Sequence, residues 1–179
     1  ATGWNGWLAP ADYPRLPNPP AQRIWTANSR TLDWQSADYA KLGDGGYDFG
    51  ARARQIRDDL NAKKQFTPDD MLAIQLDDRA VLLEHWHRNL LDVLKQAGDD
   101  AALTEAKKQT DDWNGRADPD SVAYRLVRDY RQQVLDTVLD GFAAAVRAKY
   151  PDFKLPHMAQ AETLVDAILV HRPANLLPP

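Results

Sequence analysis

The stretch SVAYRLVRDYRQQVLDTVLDGFAAAVRAK, residues 121–149, decides the fold class of this chain. Its apolar side chains recur every three or four residues, which is the spacing of one face of an α-helix. Pro119 stands in the expected first turn, and Pro151 lies where a proline would stop the helix. The pattern predicts a long amphipathic helix from about residue 118 to 150. Its buried stripe is expected to consist of Val127, Tyr130, Val134, Val138, Phe142 and Val146.

Four further helices are predicted around this one. They are expected to span residues 51–64, 67–97, 102–112 and 159–170. The second of them begins at Thr67, whose hydroxyl can cap the helix, with Pro68 at the first helical position. Its buried stripe is expected to consist of Leu72, Leu76, Leu83, Trp86, Leu90 and Leu94. The fold class predicted is therefore mainly α, with about five helices.

The first 46 residues differ in kind, because they are rich in proline and tryptophan and lack helical periodicity. Pro17, Pro19 and Pro20 favour an extended path. Residues 22–27, QRIWTA, are the single predicted strand, and a lone strand is unstable without a partner. We therefore expect no sheet built within residues 1–46. Two domains are predicted, an extended segment over residues 1–46 and a helical domain over residues 47–179.

Composition and charge exclude several classes of function. The 179 residues carry 22 Lys and Arg against 26 Asp and Glu, for a formal net charge of −4, so no basic face for nucleic acid is expected. The longest apolar stretches are far shorter than the roughly 20 residues of a membrane helix. The absence of cysteine excludes disulfides, thiolate catalysis and Cys-ligated zinc. A soluble domain without a nucleic-acid or membrane partner is expected.

General catalytic and ligand-binding motifs identify no active site. His85 and His87 are two residues apart on a predicted helix, so they point to opposite sides and cannot chelate one metal. Adjacent aspartates are best explained as solvated faces or helix caps, because neighbours on a helix do not face each other; they are Asp69-Asp70, Asp77-Asp78, Asp99-Asp100 and Asp111-Asp112. No serine stands in a Gly-x-Ser-x-Gly elbow. No cofactor is predicted in this chain.

Five stretches, taken together, resemble a known family. Residues 18–20 (NPP) and 24–30 (IWTANSR) resemble the strand of penicillin acylases that delivers an oxyanion-hole asparagine. Residues 47–56 (YDFGARARQI) are similar to the arginine-bearing helix start of that family. Residues 66–71 (FTPDDM) and 113–116 (WNGR) continue the resemblance in consistent order along nearly the whole chain.

The resemblance implies an N-terminal-nucleophile hydrolase with an αββα core. In that family a precursor cuts itself, and the freed amino-terminal serine attacks an amide with its own α-amine as base. Ala1 has no hydroxyl, and Thr2 would require removal of Ala1. The resemblance therefore implies an interior fragment of the β chain, whose partners are the upstream α chain and the start of the β chain. It also implies a periplasmic location and an acyl-amide substrate.

Two site residues follow from the resemblance. Asn28 matches the oxyanion-hole asparagine, whose side-chain NH₂ would donate to the tetrahedral intermediate. Arg52 matches the arginine that orients this asparagine, and Arg54 is the neighbour with which it could be confused. Asp38 falls near a calcium-binding aspartate of some relatives, but the loop length departs from their pattern. Calcium is therefore expected, if anywhere, in the complete enzyme only.

Two functions from different classes follow. The first is a fragment of an acyl-amide amidohydrolase of the penicillin, cephalosporin or acyl-homoserine-lactone acylase type, inactive alone because it lacks the nucleophile. The alternative is a standalone helical protein-interaction module without catalysis. The choice of acyl substrate stays open at this point.

Overall fold

A computed structural model gives the architecture of the chain and describes residues 6–43, 46–98 and 100–176. These residues form seven α-helices and one short 3-10 helix, Val81–Leu83, which confirms the predicted mainly-α fold. The α-helices are α1 Ala37–Leu42, α2 Ala51–Asn61, α3 Pro68–Gln75, α4 Glu84–Gln96, α5 Ala101–Asp111, α6 Val122–Lys149 and α7 Ala161–His171. None of the helices in the described ranges is long and apolar enough to cross a membrane.

Internal contacts divide the chain into two compact units. The N-terminal unit is Ala1–Ala62 and contains α1 and α2, and the C-terminal unit is Lys63–Pro179 and contains the other helices. The boundary predicted between residues 46 and 47 was based on a change in composition. Contacts within each unit do not test such a boundary, so it stays a prediction.

In the N-terminal unit the predicted strand at residues 22–27 does not form. Residues 23–26 have no regular structure, and pairing among the described residues of this unit is limited to an isolated parallel bridge between Ser29 and Asp48. The physical reason is that a strand needs a neighbour to complete its ladder, and among the described residues of this unit no other segment pairs with residues 23–26. The unpredicted helix α1 begins where the Ser36 side chain accepts a hydrogen bond from the Tyr39 main-chain N–H at 3.1 Å.

The core of the C-terminal unit forms where α4, α5 and α7 pack against the long helix α6. Its buried cluster consists of Leu83, Trp86, Leu90, Val127, Leu135, Val138, Val165 and Ile168. Five residues predicted to be buried, Leu83, Trp86, Leu90, Val127 and Val138, are confirmed, and Val134 is half-buried against this cluster. Helix α3 begins as predicted, with Thr67 as its cap and Pro68 at its first position.

The single helix predicted over residues 67–97 is wrong, because the chain leaves the helix after Gln75 and re-enters it through the 3-10 helix. The Ala80 main-chain N–H donates to the Gly115 carbonyl at 2.8 Å, and the Ala117 N–H donates to the Asp78 carbonyl at 2.8 Å. These non-local hydrogen bonds replace the helical ones. The three- and four-residue spacing therefore no longer determines which side chains of this segment are buried. Leu72 and Leu76, both predicted to be buried, are 51% and 70% exposed.

The C-terminal end of the buried stripe predicted for α6 is also wrong. Phe142 is 42% exposed and Val146 is exposed, whereas Ala143, outside the predicted stripe, is buried. The small Ala143 side chain faces inward at this level, which turns its bulkier neighbour Phe142 outward. Helix α6 begins with Ser121 as its cap, so Pro119 lies just before the helix and not in its first turn.

Candidate functional site

The N-terminal unit brings together the two residues to which the resemblance assigned a role. Helix α2 begins at Ala51, so Arg52 stands in its first turn. Its Nη2 atom donates to the side-chain oxygen Oδ1 of Asn28 at 3.1 Å, across 24 residues of sequence. The predicted pair is therefore in direct contact.

The same nitrogen of Arg52 is held by two further acceptors. It lies 3.2 Å from the main-chain oxygen of Ala27 and 3.1 Å from Oδ2 of Asp48. A guanidinium has only donors, so the atom of the Asn28 amide that faces it must be the oxygen. The NH₂ group of Asn28 consequently points away from Arg52.

The main chain at Asn28 is fixed independently of its side chain. Asn28 has a φ of 59°, in the left-handed region that asparagine tolerates better than most residues. Its carbonyl oxygen accepts a hydrogen bond from the Asp48 main-chain N–H at 2.9 Å, and the next residue, Ser29, forms the parallel bridge with Asp48. The segment that carries Asn28 is thus attached to the residues that lead into α2.

This cluster is open to solvent in the N-terminal unit. The side chains of Arg52 and Asp48 are 63% and 51% exposed, and Asn28 is exposed. Water weakens such hydrogen bonds and ion pairs, whereas a water-excluded site would strengthen them. The cluster can offer one neutral N–H donor group with a positive charge behind it. It contains no side chain that acts as a strong nucleophile at neutral pH without a base.

The other positions named from the sequence are not part of this cluster. Arg54 is exposed, and its side chain forms no ion pair or hydrogen bond within the described part of the chain. Asp38 lies in the first turn of α1, and its carboxylate accepts from Lys41 Nζ at 3.3 Å. Across residues 6–43, 46–98 and 100–176, no group of three His, Cys, Asp or Glu side chains is arranged to hold a metal ion. Ala1 and Thr2 lie outside the described residues.

Sequence reasoning did not single out Asp48, although it is in contact with Arg52. Asp48 and Arg52 are four residues apart at a helix start, which is the spacing of an i, i+4 ion pair. That spacing was the available signal. The hydrogen bond between Asp48 and Asn28 is formed by main-chain atoms, so no pattern of side chains in the sequence predicts it.

Comparison with protein families places the chain among the amide hydrolases. A family model described as penicillin amidase matches residues 1–175. The chain therefore belongs to the penicillin amidase family, which confirms the resemblance and favours the hydrolase over the interaction module. No curated protein and no solved structure matches the chain.

Proposed function

We propose that this chain supplies the oxyanion-hole donor of an acyl-amide hydrolase, with Asn28 as donor and Arg52 as the residue that orients it. The observation that carries the proposal is the 3.1 Å hydrogen bond from Arg52 Nη2 to Asn28 Oδ1, in a chain of the penicillin amidase family. Arg52 fixes the amide so that the NH₂ group, and not the oxygen, faces outward. A donor held in this orientation before reaction needs no rearrangement when charge develops.

The chemical step would use Asn28 as follows. Attack of a nucleophile on the amide carbon breaks the C=O π bond and moves its electron pair onto the oxygen. The Asn28 NH₂ donates to that oxygen and keeps its protons throughout. The hydrogen bond is stronger to the charged oxygen of the tetrahedral intermediate than to the neutral carbonyl, so it lowers the barrier more than it improves substrate binding.

The nucleophile is proposed to come from another segment of the same enzyme, as the family resemblance implies. On this proposal the other segments are the partners of the chain, they cover the exposed cluster, and an acyl amide is the substrate. The periplasm is the proposed location on the same ground. We expect the purified 179-residue chain to hydrolyse a chromogenic acyl amide no faster than buffer does. Turnover by the pure chain would contradict this division of roles.

The decisive variant is Asn28→Ala in the complete enzyme. We expect kcat to fall by roughly 10²–10³, as for removal of one oxyanion donor elsewhere, with little change in KM. Asn28→Asp should be no more active than Asn28→Ala, because it tolerates the left-handed backbone but replaces the donor with a carboxylate. Correct processing and an unchanged Tm are checked for each variant.

Asn18→Ala is the matched control. Asn18 is also an exposed asparagine with a left-handed backbone, at φ 49°, in the same unit, and no side-chain hydrogen bond to it is found in the described residues. It therefore reports the backbone cost of the substitution without the loss of a positioned donor. If Asn28→Ala is processed and as active as Asn18→Ala, the oxyanion assignment is wrong.

A further inference from the structure

Asp48 is attached to Asn28 by two separate routes. Its main-chain N–H donates to the Asn28 carbonyl at 2.9 Å. Its carboxylate accepts from Arg52 Nη2 at 3.1 Å, and that same nitrogen holds Oδ1 of Asn28. One residue thus contacts both the backbone of the proposed donor and the side chain that orients it.

From this arrangement we infer that Asp48 is a positioning residue of the site, which fixes the direction of the Asn28 NH₂ group through Arg52. The inference rests on the proposed function and extends it by one residue. Asp48 itself would touch neither the substrate nor the reacting atoms.

The need for such a residue follows from the side chains involved. An arginine side chain has several rotatable bonds, and an exposed one loses considerable freedom when it is held in one geometry. Two of the three acceptors around Nη2, the Ala27 carbonyl and the Asn28 amide oxygen, are neutral. The Asp48 carboxylate is the only charged one of the three, and charge-assisted hydrogen bonds are the stronger ones. Without it, the guanidinium would leave Asn28 more often, and the amide could rotate.

The plain alternative is that Asp48 and Arg52 form an ordinary exposed ion pair at the start of α2. Such pairs contribute little to stability. The two interpretations therefore differ in what the loss of the carboxylate changes. An ordinary pair affects neither kcat nor Tm noticeably, whereas a positioning residue affects kcat and leaves KM and Tm nearly unchanged.

The experiment compares Asp48→Ala and Asp48→Asn with the parent in the complete, processed enzyme. Both variants keep the main-chain N–H that holds Asn28, so they test the side chain alone. We expect Asp48→Ala to lower kcat between about 10- and 100-fold, the scale of an ångström-sized misplacement of a catalytic group. Asp48→Asn keeps one acceptor without the charge and should fall between Asp48→Ala and the parent.

A double-mutant comparison separates action through Arg52 from a general disturbance. If Asp48 acts by holding Arg52, then Asp48→Ala in an Arg52→Ala background should cause almost no further loss of kcat. Asp58→Ala is the control, because it removes another exposed ion pair of α2, with Arg57 at 2.7 Å, and should leave kcat unchanged.

The outcomes distinguish this inference from the proposed function. If Asn28→Ala is slow while Asp48→Ala is fully active, the positioning role of Asp48 is wrong and the oxyanion assignment of Asn28 stands. The positioning role is also wrong if the fold-loss of kcat in the Asp48→Ala/Arg52→Ala double variant equals the product of the two single losses. If Asn28→Ala is fully active, the proposed function fails, and the inference drawn from it fails as well.

Discussion

Arg131 on α6 and Glu162 on α7 form a bidentate ion pair inside the C-terminal unit. Nε of Arg131 lies 3.0 and 2.9 Å from the two carboxylate oxygens, and Nη2 makes a further contact with Oε2. Glu162 is only 2% exposed, and its Oε1 also accepts from Nε1 of the fully buried Trp86 at 2.6 Å. One carboxylate therefore joins α4, α6 and α7. A buried charge is tolerated here because donors surround it.

We expect Glu162→Ala to lower the free energy of unfolding of the 179-residue chain by about 3–5 kcal/mol, because it leaves a partly buried guanidinium uncompensated and the Trp86 N–H unpaired. Urea unfolding followed by circular dichroism measures this. The double variant Glu162→Met/Arg131→Met should be more stable than Glu162→Ala, since no lone charge remains. A double variant less stable than the single one would contradict the explanation.

Two leucines that the sequence pattern treats alike provide a second test. Leu83 is 7% exposed and packs in the core, whereas Leu76 is 70% exposed beside the break between α3 and the 3-10 helix. Leu83→Ala should cost about 2–5 kcal/mol of unfolding free energy, as for other buried leucines. Leu76→Ala should stay within about 0.5 kcal/mol, as for surface positions. Equal losses in the same urea experiment would mean that the continuous helix predicted from the pattern is correct.

This contrast shows how much of the fold can be predicted from the sequence. Helices α2, α5, α6 and α7 lie where the sequence predicted them, and in α6 the three- and four-residue spacing also identified the buried Val127 and Val138. It failed at residues 76–80, because main-chain bonds to Gly115 and Ala117 override the helical repeat there. Such bonds join segments more than 30 residues apart, and no local pattern encodes them.

The candidate site shows the same division. The family resemblance identified Asn28 and Arg52, and the structure places them in contact. Asp48 was missed because an acidic residue ahead of a helix ordinarily complements the helix dipole and needs no further explanation. What sets it apart is its main-chain bond to Asn28, which exists only once the two segments are folded together.

The cap of α3 predicts a pH dependence. A hydrogen bond from Lys63, together with those from the main-chain N–H and hydroxyl of Thr67, lowers the pKa of Asp70 from 3.8 to about 2. Because the folded state depresses this pKa, the stabilisation is fully present above the unfolded value near 4 and is lost as the pH falls to about 2. Asp70→Asn should therefore destabilise the chain at pH 6, and its difference from the parent should have shrunk to a small fraction near pH 2.

The control for this titration is Asp69→Asn, at the neighbouring position in the first turn of α3, outside the capping box formed by Thr67 and Asp70. Thermal unfolding of the three proteins between pH 2 and pH 7 provides the measurement. An Asp70→Asn difference that is the same at both ends of this range would show that the carboxylate charge does not stabilise the cap.

The last prediction concerns Arg52 and its neighbour two residues away. In the complete enzyme Arg52→Ala should lower kcat between about 10- and 100-fold, because the Asn28 amide loses the donor that fixes its orientation. Arg52→Lys should recover little of this loss. Lysine keeps the charge but has a shorter side chain without the planar fork, and Nη2 of Arg52 serves three acceptors at 3.1–3.2 Å. Arg54→Ala removes another exposed cation from the same helix and should be nearly neutral. The measurement is kcat and KM on one acyl amide, with Tm as the check on folding. Full recovery by Arg52→Lys would mean that positive charge alone matters, and equal losses for Arg52→Ala and Arg54→Ala would mean that neither arginine acts through Asn28.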